Sequence, residues 1–319
     1  MAMEYPFEHP VTLFQSLEMP VNTQISSQTL LPLGKVLMAI AGADDQLSVW
    51  ERGWLSAFMS AYNAPEAVLE VLDDYDYHGV DVKPLLMPLL GGRYERWIRR
   101  SLVQGAIRMS QADELVPSEQ SAIYRAAALV GMSEAVVSEI HSLTDIFDAT
   151  TSTIAHLVAI SPTGEADTNM GEWDDNQPPT PERLIFGQEQ TAYAQVLLYV
   201  LGADGEVSEL EMEAFVGHMR RWGATEEQVT ILRGFDYSAP TAASLLQHID
   251  SDERTLNALA SVALRLAGVD GLAVEEQNAL VKLYRASGAS IMTLRAIEGL
   301  ESVRRLALTR LEALFESYI

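Results

Sequence analysis

The sequence predicts an all-α protein built from two tandem, pseudo-symmetric helical bundles that an acidic linker rich in Pro and Gly joins. Apolar residues recur at helical spacing along most of the chain. Four short acidic turns fall where one helical pattern ends and another begins. A repeat of the whole pattern in the second half of the chain assigns the helices to two domains.

The clearest acidic turn contains Asp204-Gly205, followed by Ser208 and Glu211. Glycine takes positive φ without a Cβ penalty, and aspartate binds nearby backbone N–H groups, so this dipeptide favours a turn. Because the serine precedes the glutamate by three residues, the pattern also predicts a capping box at the start of a helix. The three weaker copies of this turn are Asp44 to Glu51, Asp113 to Glu119 and Asp270 to Glu276.

Helices are predicted in order on both sides of these turns. In the first half they run from Leu30 to Gly42, from Ser48 through Met59, from Pro65 to Asp74, from Arg93 to Ser110, from Pro117 to about Val130, and onward from a cap at Ser133. The β-branched, threonine-rich stretch from Thr144 to Ile160 is expected to continue as helix with a break. Residues 76–92 form a shorter piece that Pro and Gly interrupt.

The internal repeat is seen when the second half is aligned with the first at an offset of 160 residues, which becomes 157 beyond a three-residue deletion. Val36, Leu37, Ile40, Asp44, Ser48, Glu51 and Asp76-Tyr77 then fall on Val196, Leu197, Val200, Asp204, Ser208, Glu211 and Asp236-Tyr237. The predicted organisation is an extended arm over residues 1–28, a first helical domain over 29–160, a linker over 161–188, a second helical domain over 189–290, and a C-terminal helix over 291–319.

Composition narrows the classes of partner. The 319-residue chain carries a formal charge of −24, which disfavours nucleic acid and favours cations and proteins with basic segments. It contains no cysteine, so disulfides and thiolate metal sites are excluded. The N-terminus is not a signal peptide, and no apolar run reaches the roughly 18 to 20 residues of a transmembrane span. We expect a cytoplasmic protein, with a membrane-associated partner and any oligomeric state left open.

The acidic residues of the four turns are the candidate metal ligands. They are Asp44, Glu51, Asp113 and Glu119 in the first domain, and Asp204, Glu206, Glu211, Asp270 and Glu276 in the second. Carboxylate and backbone oxygens are hard ligands suited to Ca²⁺ or Mg²⁺, and the spacing is not that of an EF-hand. Zn²⁺, held by Glu211 and His218, is the weaker candidate. The competing interpretation is that the glutamates only cap helices and compensate the helix dipole.

Catalytic motifs are missing from the sequence. It has no phosphate-binding glycine loop, HExxH helix, Gly-x-Ser-x-Gly elbow or cysteine nucleophile. Paired carboxylates can serve hydrolysis, so an acidic helical hydrolase is the remote alternative. We therefore expect no enzyme.

The acidic turns also resemble those of a known family. Ala-Asp-Gly after an apolar helix, followed by Ser and Glu and occurring twice per domain, resembles the TerB-like proteins associated with tellurite resistance, over residues 30–143 and 190–300. The resemblance implies a helical, non-enzymatic module of bacterial stress or defence systems, with an acidic patch that binds divalent metal. Asp45 and Glu114 stand where the family pattern has glycine.

Two functional hypotheses follow. The first is a tandem TerB-like module that binds a divalent cation and a protein partner. The second is a metal-independent helical adaptor whose acidic faces bind basic protein segments. Response to metal separates them.

Overall fold

The computed structural model describes residues 25–91, 95–159, 190–221, 224–249 and 251–317. All regular structure in these ranges is helical, which confirms the predicted all-α class. Residues 1–24 of the predicted arm and the whole predicted linker lie outside the described residues. Helix α1 begins at Ser27, inside the segment assigned to the arm.

Helices of the first half follow the predicted order. They are α1 (Ser27–Ala41), a 3₁₀ turn (Gly42–Asp44), α2 (Val49–Ala61), α3 (Glu66–Asp73), α4 (Lys83–Leu86), a second 3₁₀ turn (Met87–Leu89), α5 (Glu95–Ser110), α6 (Pro117–Leu129) and α7 (Glu134–Ala159). Pro117 is the first residue of α6, as predicted, where its missing N–H costs no hydrogen bond.

The second half contributes seven further helices among the described residues. They are α8 (Gln190–Leu201), α9 (Glu209–Arg221), α10 (Glu226–Arg233), α11 (Ala242–Leu246), α12 (Glu253–Ala267), α13 (Val274–Ser287) and α14 (Ile291–Glu316). No helix within the described ranges has the length and apolarity needed to cross a bilayer.

The threonine-rich stretch was predicted to break, and this prediction is wrong. Helix α7 is continuous from Glu134 to Ala159. Threonine hydroxyls along it donate back to carbonyls one turn earlier, from Thr144 to Ile140 and from Thr153 to Ala149, at 2.8 Å each. Because the side chains satisfy their hydrogen bonds inside the helix, they do not draw the backbone into another conformation.

The described part of the chain forms two compact units. Among the described residues, unit 1 comprises those up to Asp145 together with those from Thr309 onward, and unit 2 comprises those from Ile146 to Leu308. The division falls inside the long helices α7 and α14, whereas the predicted boundaries were residues 160 and 291. Each unit has its own apolar core, and α7 and α14 contribute buried side chains to both cores.

Each core is centred on one strongly apolar helix. In unit 1, α1 buries Leu33, Val36 and Leu37 completely, against α5 and other helices. In unit 2, α8 buries Val196 and Leu197 in the same way against α12. The acidic turn of interest follows directly after this central helix in each unit, so a rigid element positions it.

Candidate cation site: two pairs of buried glutamates

The first acidic turn of each unit has the same local geometry. Gly205 has a φ of +106°, and Asp45 holds the left-handed conformation with a φ of 68° at the corresponding position of unit 1. The carboxylate of Asp44 accepts the N–H of Gln46 at 2.9 Å, and that of Asp204 accepts the N–H of Glu206 at 3.1 Å. Aspartate thus replaces glycine at position 45 without changing the turn, since Asp tolerates this region.

Capping boxes start the helices that follow these turns, as predicted. The Ser48 N–H donates to Glu51 Oε2 at 2.8 Å, and the Glu51 N–H donates to Ser48 Oγ at 3.1 Å. In unit 2 the corresponding distances between Ser208 and Glu211 are 2.8 and 3.2 Å. Each glutamate therefore uses one carboxylate oxygen as a cap and keeps the other for another partner.

The second glutamate of each unit makes only the carboxylate half of such a box. Glu119 Oε2 accepts the Val116 N–H at 3.0 Å, and Glu276 Oε2 accepts the Ala273 N–H at 2.6 Å. Valine and alanine have no side-chain oxygen to complete the box. These glutamates, like the first two, still have one free oxygen after capping.

All four glutamates are buried. Their exposed fractions are 2% for Glu51, 3% for Glu119, 4% for Glu211 and 2% for Glu276. Within each unit the carboxyl groups of the two glutamates lie within hydrogen-bonding reach of each other. The two acidic turns of a unit therefore converge, and they do so through their glutamates.

Burial gives these carboxyl groups a strong preference for the neutral form. Loss of hydration raises the pKa of Glu119 to about 8, with Glu51 and Asp44 adding like-charge repulsion. The pKa of Glu276 rises to about 8 for the same reasons, with Glu211 and Asp204 as its acidic neighbours. Near neutral pH each pair can therefore keep a proton that two carboxylates in water would have lost.

Burial also raises the pKa of Glu51, which the Ser48 N–H opposes and the charge of Asp113 reinforces. The aspartate of one turn thus acts on the glutamate of the other. This crossed arrangement links Asp44 to Glu119 and Asp113 to Glu51, so all four predicted ligands of unit 1 interact.

One oxygen in each pair has no ordinary donor. Glu51 Oε1 and Glu276 Oε1 are buried and accept no hydrogen bond from any N–H or hydroxyl group among the residues that the structure describes. Leaving a buried acceptor without a donor costs about 1–3 kcal/mol. Since the neighbouring carboxyl is within reach, a proton shared between the two acids removes this cost, and so would a cation that binds both.

The five predicted aspartate and glutamate ligands outside the pairs are exposed. Asp44, Asp113 and Asp204 lie within electrostatic range of the buried glutamates. Glu206 and Asp270 are exposed on their turns. In the described part of the chain, no group of three or more acidic or histidine side chains forms a complete set of metal ligands. A bound ion would need backbone or water oxygens in addition to the glutamate pair.

A tyrosine holds the first turn of each unit, and sequence reasoning did not assign it this role. A Cβ placed on Gly202 would lie 2.1 Å from the ring of Tyr237, and one on Gly42 would lie 2.3 Å from the ring of Tyr77. The Tyr237 hydroxyl also donates to the Gly205 carbonyl at 3.4 Å. The signal was present, because the Asp-Tyr dipeptide recurs at the repeat offset.

Comparison of the chain with protein families, with curated proteins and with solved structures gave no match. The similarity to TerB-like proteins therefore rests on the turn motifs. What the geometry provides is a pair of facing, buried carboxyl groups in each unit, which can hold either a proton or a cation.

Proposed function

We propose that the chain is a non-enzymatic, TerB-like helical module that binds a divalent cation at each glutamate pair in exchange for a proton. The observation that carries the proposal is the buried, donor-less oxygen of Glu51 in unit 1 and of Glu276 in unit 2. A cation bridging the two carboxylates would satisfy that oxygen and remove the repulsion that favours the protonated form.

Ca²⁺ and Mg²⁺ are the proposed ions, because the available ligands are oxygens. The capping bonds hold one oxygen of each glutamate, so the pair would use its remaining oxygens. The exposed Asp44, Asp113 and Asp204 supply negative charge close to the pairs. Glu51 and Glu119 are the third residues of α2 and α6. An ion bound between them would therefore connect the first turns of these two helices and change the surface that unit 1 offers to a partner.

Thermal unfolding tests the proposal. The chain is unfolded with Ca²⁺, Mg²⁺, Mn²⁺ or Zn²⁺ and with chelator, alongside the variants Glu51→Gln/Glu119→Gln and Glu211→Gln/Glu276→Gln. An ion that binds only the folded state stabilises it by about 2.7 kcal/mol at a hundred-fold excess over Kd. We expect a shift with Ca²⁺ or Mg²⁺ that falls in each variant and vanishes in the four-glutamine variant, which combines all four substitutions.

Glutamine keeps the carbonyl oxygen that caps each helix, so these variants separate ion binding from capping. Glu209→Gln, at an exposed position of α9, is the matched control and should keep the full shift. The proposal is wrong if no ion shifts the unfolding temperature of the unmodified chain.

A second candidate function is a metal-independent adaptor, which exposed apolar side chains near the glutamates favour. Val49 is 63% exposed, Leu210 54% and Val274 65%, and all three lie in the first turn of a helix whose third residue is a buried glutamate. Apolar side chains among carboxylates suit a partner with basic and apolar residues. Partner binding that is unchanged by chelator and by the glutamine variants would favour this function.

A bacterial stress or defence system, with the chain in the cytoplasm, is the biological setting we propose. It rests on the TerB-like motifs and on the acidic composition. Loss of tolerance to tellurite or to divalent metal on deletion of the gene, restored by the unmodified chain and not by the four-glutamine variant, is the expected result.

A further inference from the structure

A groove in unit 1 is separate from the glutamate pair. Its volume is about 290 Å³, and its lining comes from the C-terminal half of α1, the segment 80–83 and one face of α6. The α6 residues in it are Ala122, Arg125 and Leu129, whose spacing places them on the same side of that helix. A groove of this volume is at the lower end of the range for small-molecule sites, roughly 300–1,000 Å³.

The floor of the groove is apolar. Ala39 and Ile40 of α1 line it, and Val80 and Val82 come from the segment before α4. Ile40 is buried and the other three are half-buried, so a bound apolar group would cover surface that now faces water.

The rim carries two basic side chains and one acidic one. Lys83 and Arg125 are exposed and form no ion pair with any residue in the described ranges. The carboxylate of Asp81 instead accepts the Lys83 backbone N–H at 3.0 Å. The rim is thus net positive in a chain whose formal charge is −24, and two basic side chains beside an apolar floor favour an anion with an apolar body.

Unit 2 differs at the positions that make the groove. At the repeat offset, Ala39 corresponds to Tyr199 and Lys83 to Ala243, while Arg125 corresponds to Lys282. Tyr199 is half-buried, and burial raises its pKa. A large ring stands where unit 1 has a methyl group, and one of the two rim cations is absent. Unit 2 therefore indicates which substitution in unit 1, Ala39→Tyr, should close the groove.

We propose that the groove of unit 1 binds a small organic anion with an apolar body, of the class of medium-chain or aryl carboxylates. The apolar part would lie on Ala39, Ile40 and Val82, and the acidic group would lie between Lys83 and Arg125. This site is independent of the cation site, and its ligand needs no metal.

Fluorescence titration with the arylsulfonate dye 1-anilinonaphthalene-8-sulfonate tests the proposal on the full chain, with decanoate as competitor. We expect one dye per chain, displaced by decanoate. Ala39→Tyr, which copies unit 2, should weaken dye binding by at least about tenfold, and Lys83→Glu/Arg125→Glu by a similar factor. Lys282→Glu, the matched substitution in unit 2, should leave it unchanged. Thermal unfolding of each variant shows whether it is folded.

If Ala39→Tyr does not fold, Lys83→Glu/Arg125→Glu still tests the proposal, because substitutions at exposed residues should leave the fold intact. The uncharged analogue N-phenyl-1-naphthylamine should bind at least about tenfold more weakly than the dye. The proposal is overturned if the dye does not bind, if Lys83→Glu/Arg125→Glu binds it as well as the unmodified chain, or if the uncharged analogue binds equally well. Dye binding that decanoate does not displace overturns the carboxylate class.

Discussion

The two glutamate pairs share their burial and their capping bonds but lie in different surroundings. In unit 1 the turns carry Asp45 and Glu114, whereas unit 2 has Gly205 and Gly271 at these positions. His78 stands beside the unit 1 turn, and Ser238 is its counterpart in unit 2. The buried pair, its capping bonds and the tyrosine against the preceding glycine are present in both units. The glycines of the turns are thus replaceable, while the paired carboxyl groups are the shared feature.

The comparison also shows that both units bury two capping glutamates together, which a helix cap does not require. Asp252 also caps a helix, α12, where its Oδ1 accepts the Thr255 N–H at 2.7 Å. Each capping glutamate of the four turns lies beside a second buried glutamate. A cap alone does not require two acids to be buried together, because each would cap as well when pointing towards water.

The largest expected effect is the loss of one member of a pair. Glu276→Ala removes a capping bond and leaves a small cavity beside Glu211, and should lower the free energy of unfolding by about 2–4 kcal/mol. Glu119→Ala should have a similar effect in unit 1. Urea denaturation measures both. Glu275→Ala, at the exposed neighbouring position, is the control and should change stability by less than about 0.5 kcal/mol. If the free energy of unfolding falls by no more than the loss of one helix cap would explain, the paired glutamates serve only as caps.

A pH dependence opposite to the usual one for carboxylates should follow. The pKa of Glu119 and of Glu276 is about 8 in the folded state against 4.5 ordinarily, so the folded chain binds more protons between these values. The resulting stability is fully present below about pH 4.5 and is lost as the pH rises through about 8, by on the order of a few kcal/mol per pair.

Urea denaturation from pH 5 to pH 9 measures this slope. Glu119→Gln/Glu276→Gln should flatten it, since glutamine does not titrate. His78, whose raised pKa comes from its hydrogen bond with Asp76, contributes in part of the same window and only in unit 1. Because His78 is present in every variant, the part of the slope that each single substitution removes belongs to its glutamate pair. If the pH dependence of stability survives in the double variant, groups other than Glu119 and Glu276 cause it.

The next largest loss of stability is expected when the glycines that contact the tyrosine rings are replaced by alanine. Gly202→Ala and Gly42→Ala place a methyl group against the rings of Tyr237 and Tyr77, and should each cost about 1–3 kcal/mol. Gly217→Ala has open space around the new methyl group and lies within α9, so it should be neutral or stabilising by up to about 1 kcal/mol. Equal effects at all three positions would mean that the tyrosines do not hold the turns.

The smallest expected effect tests the difference between the turns. Asp45→Gly relieves a left-handed aspartate and should leave stability within about 1 kcal/mol of the unmodified chain. Gly205→Ala imposes positive φ on a residue with a Cβ, and should destabilise by about 1–2 kcal/mol. Thermal unfolding of both variants measures these two changes in stability. If both substitutions were equally harmful, position 45 would need its carboxylate rather than its backbone conformation.

Local features of the fold could be read from the sequence, because they depend on residues close together in the chain. The helical class, the Ser208–Glu211 capping box and the position of Pro117 are of this kind. The facing of Glu211 and Glu276 is not, since it depends on how separate helices pack. Periodicity predicts a buried face but not which buried residues meet.

Side-chain chemistry explains the failures. The threonines of α7 satisfy their hydroxyls within the helix, which a propensity argument does not anticipate. The groove of unit 1 could not be predicted from the repeat, because it arises where the two halves differ, at Ala39 and Tyr199. The burial of the glutamates was unexpected because Glu is rarely buried without a partner.

Calorimetric titration of the chain with Ca²⁺ and with Mg²⁺ at pH 7, in two buffers of different protonation enthalpy, tests the central claim most directly. The difference in heat gives the protons released per ion. We predict binding to both units with release of about one proton per ion, and neither binding nor release in the four-glutamine variant. Binding without proton release, or binding that survives in the four-glutamine variant, would contradict the exchange of a proton for a cation at the glutamate pairs.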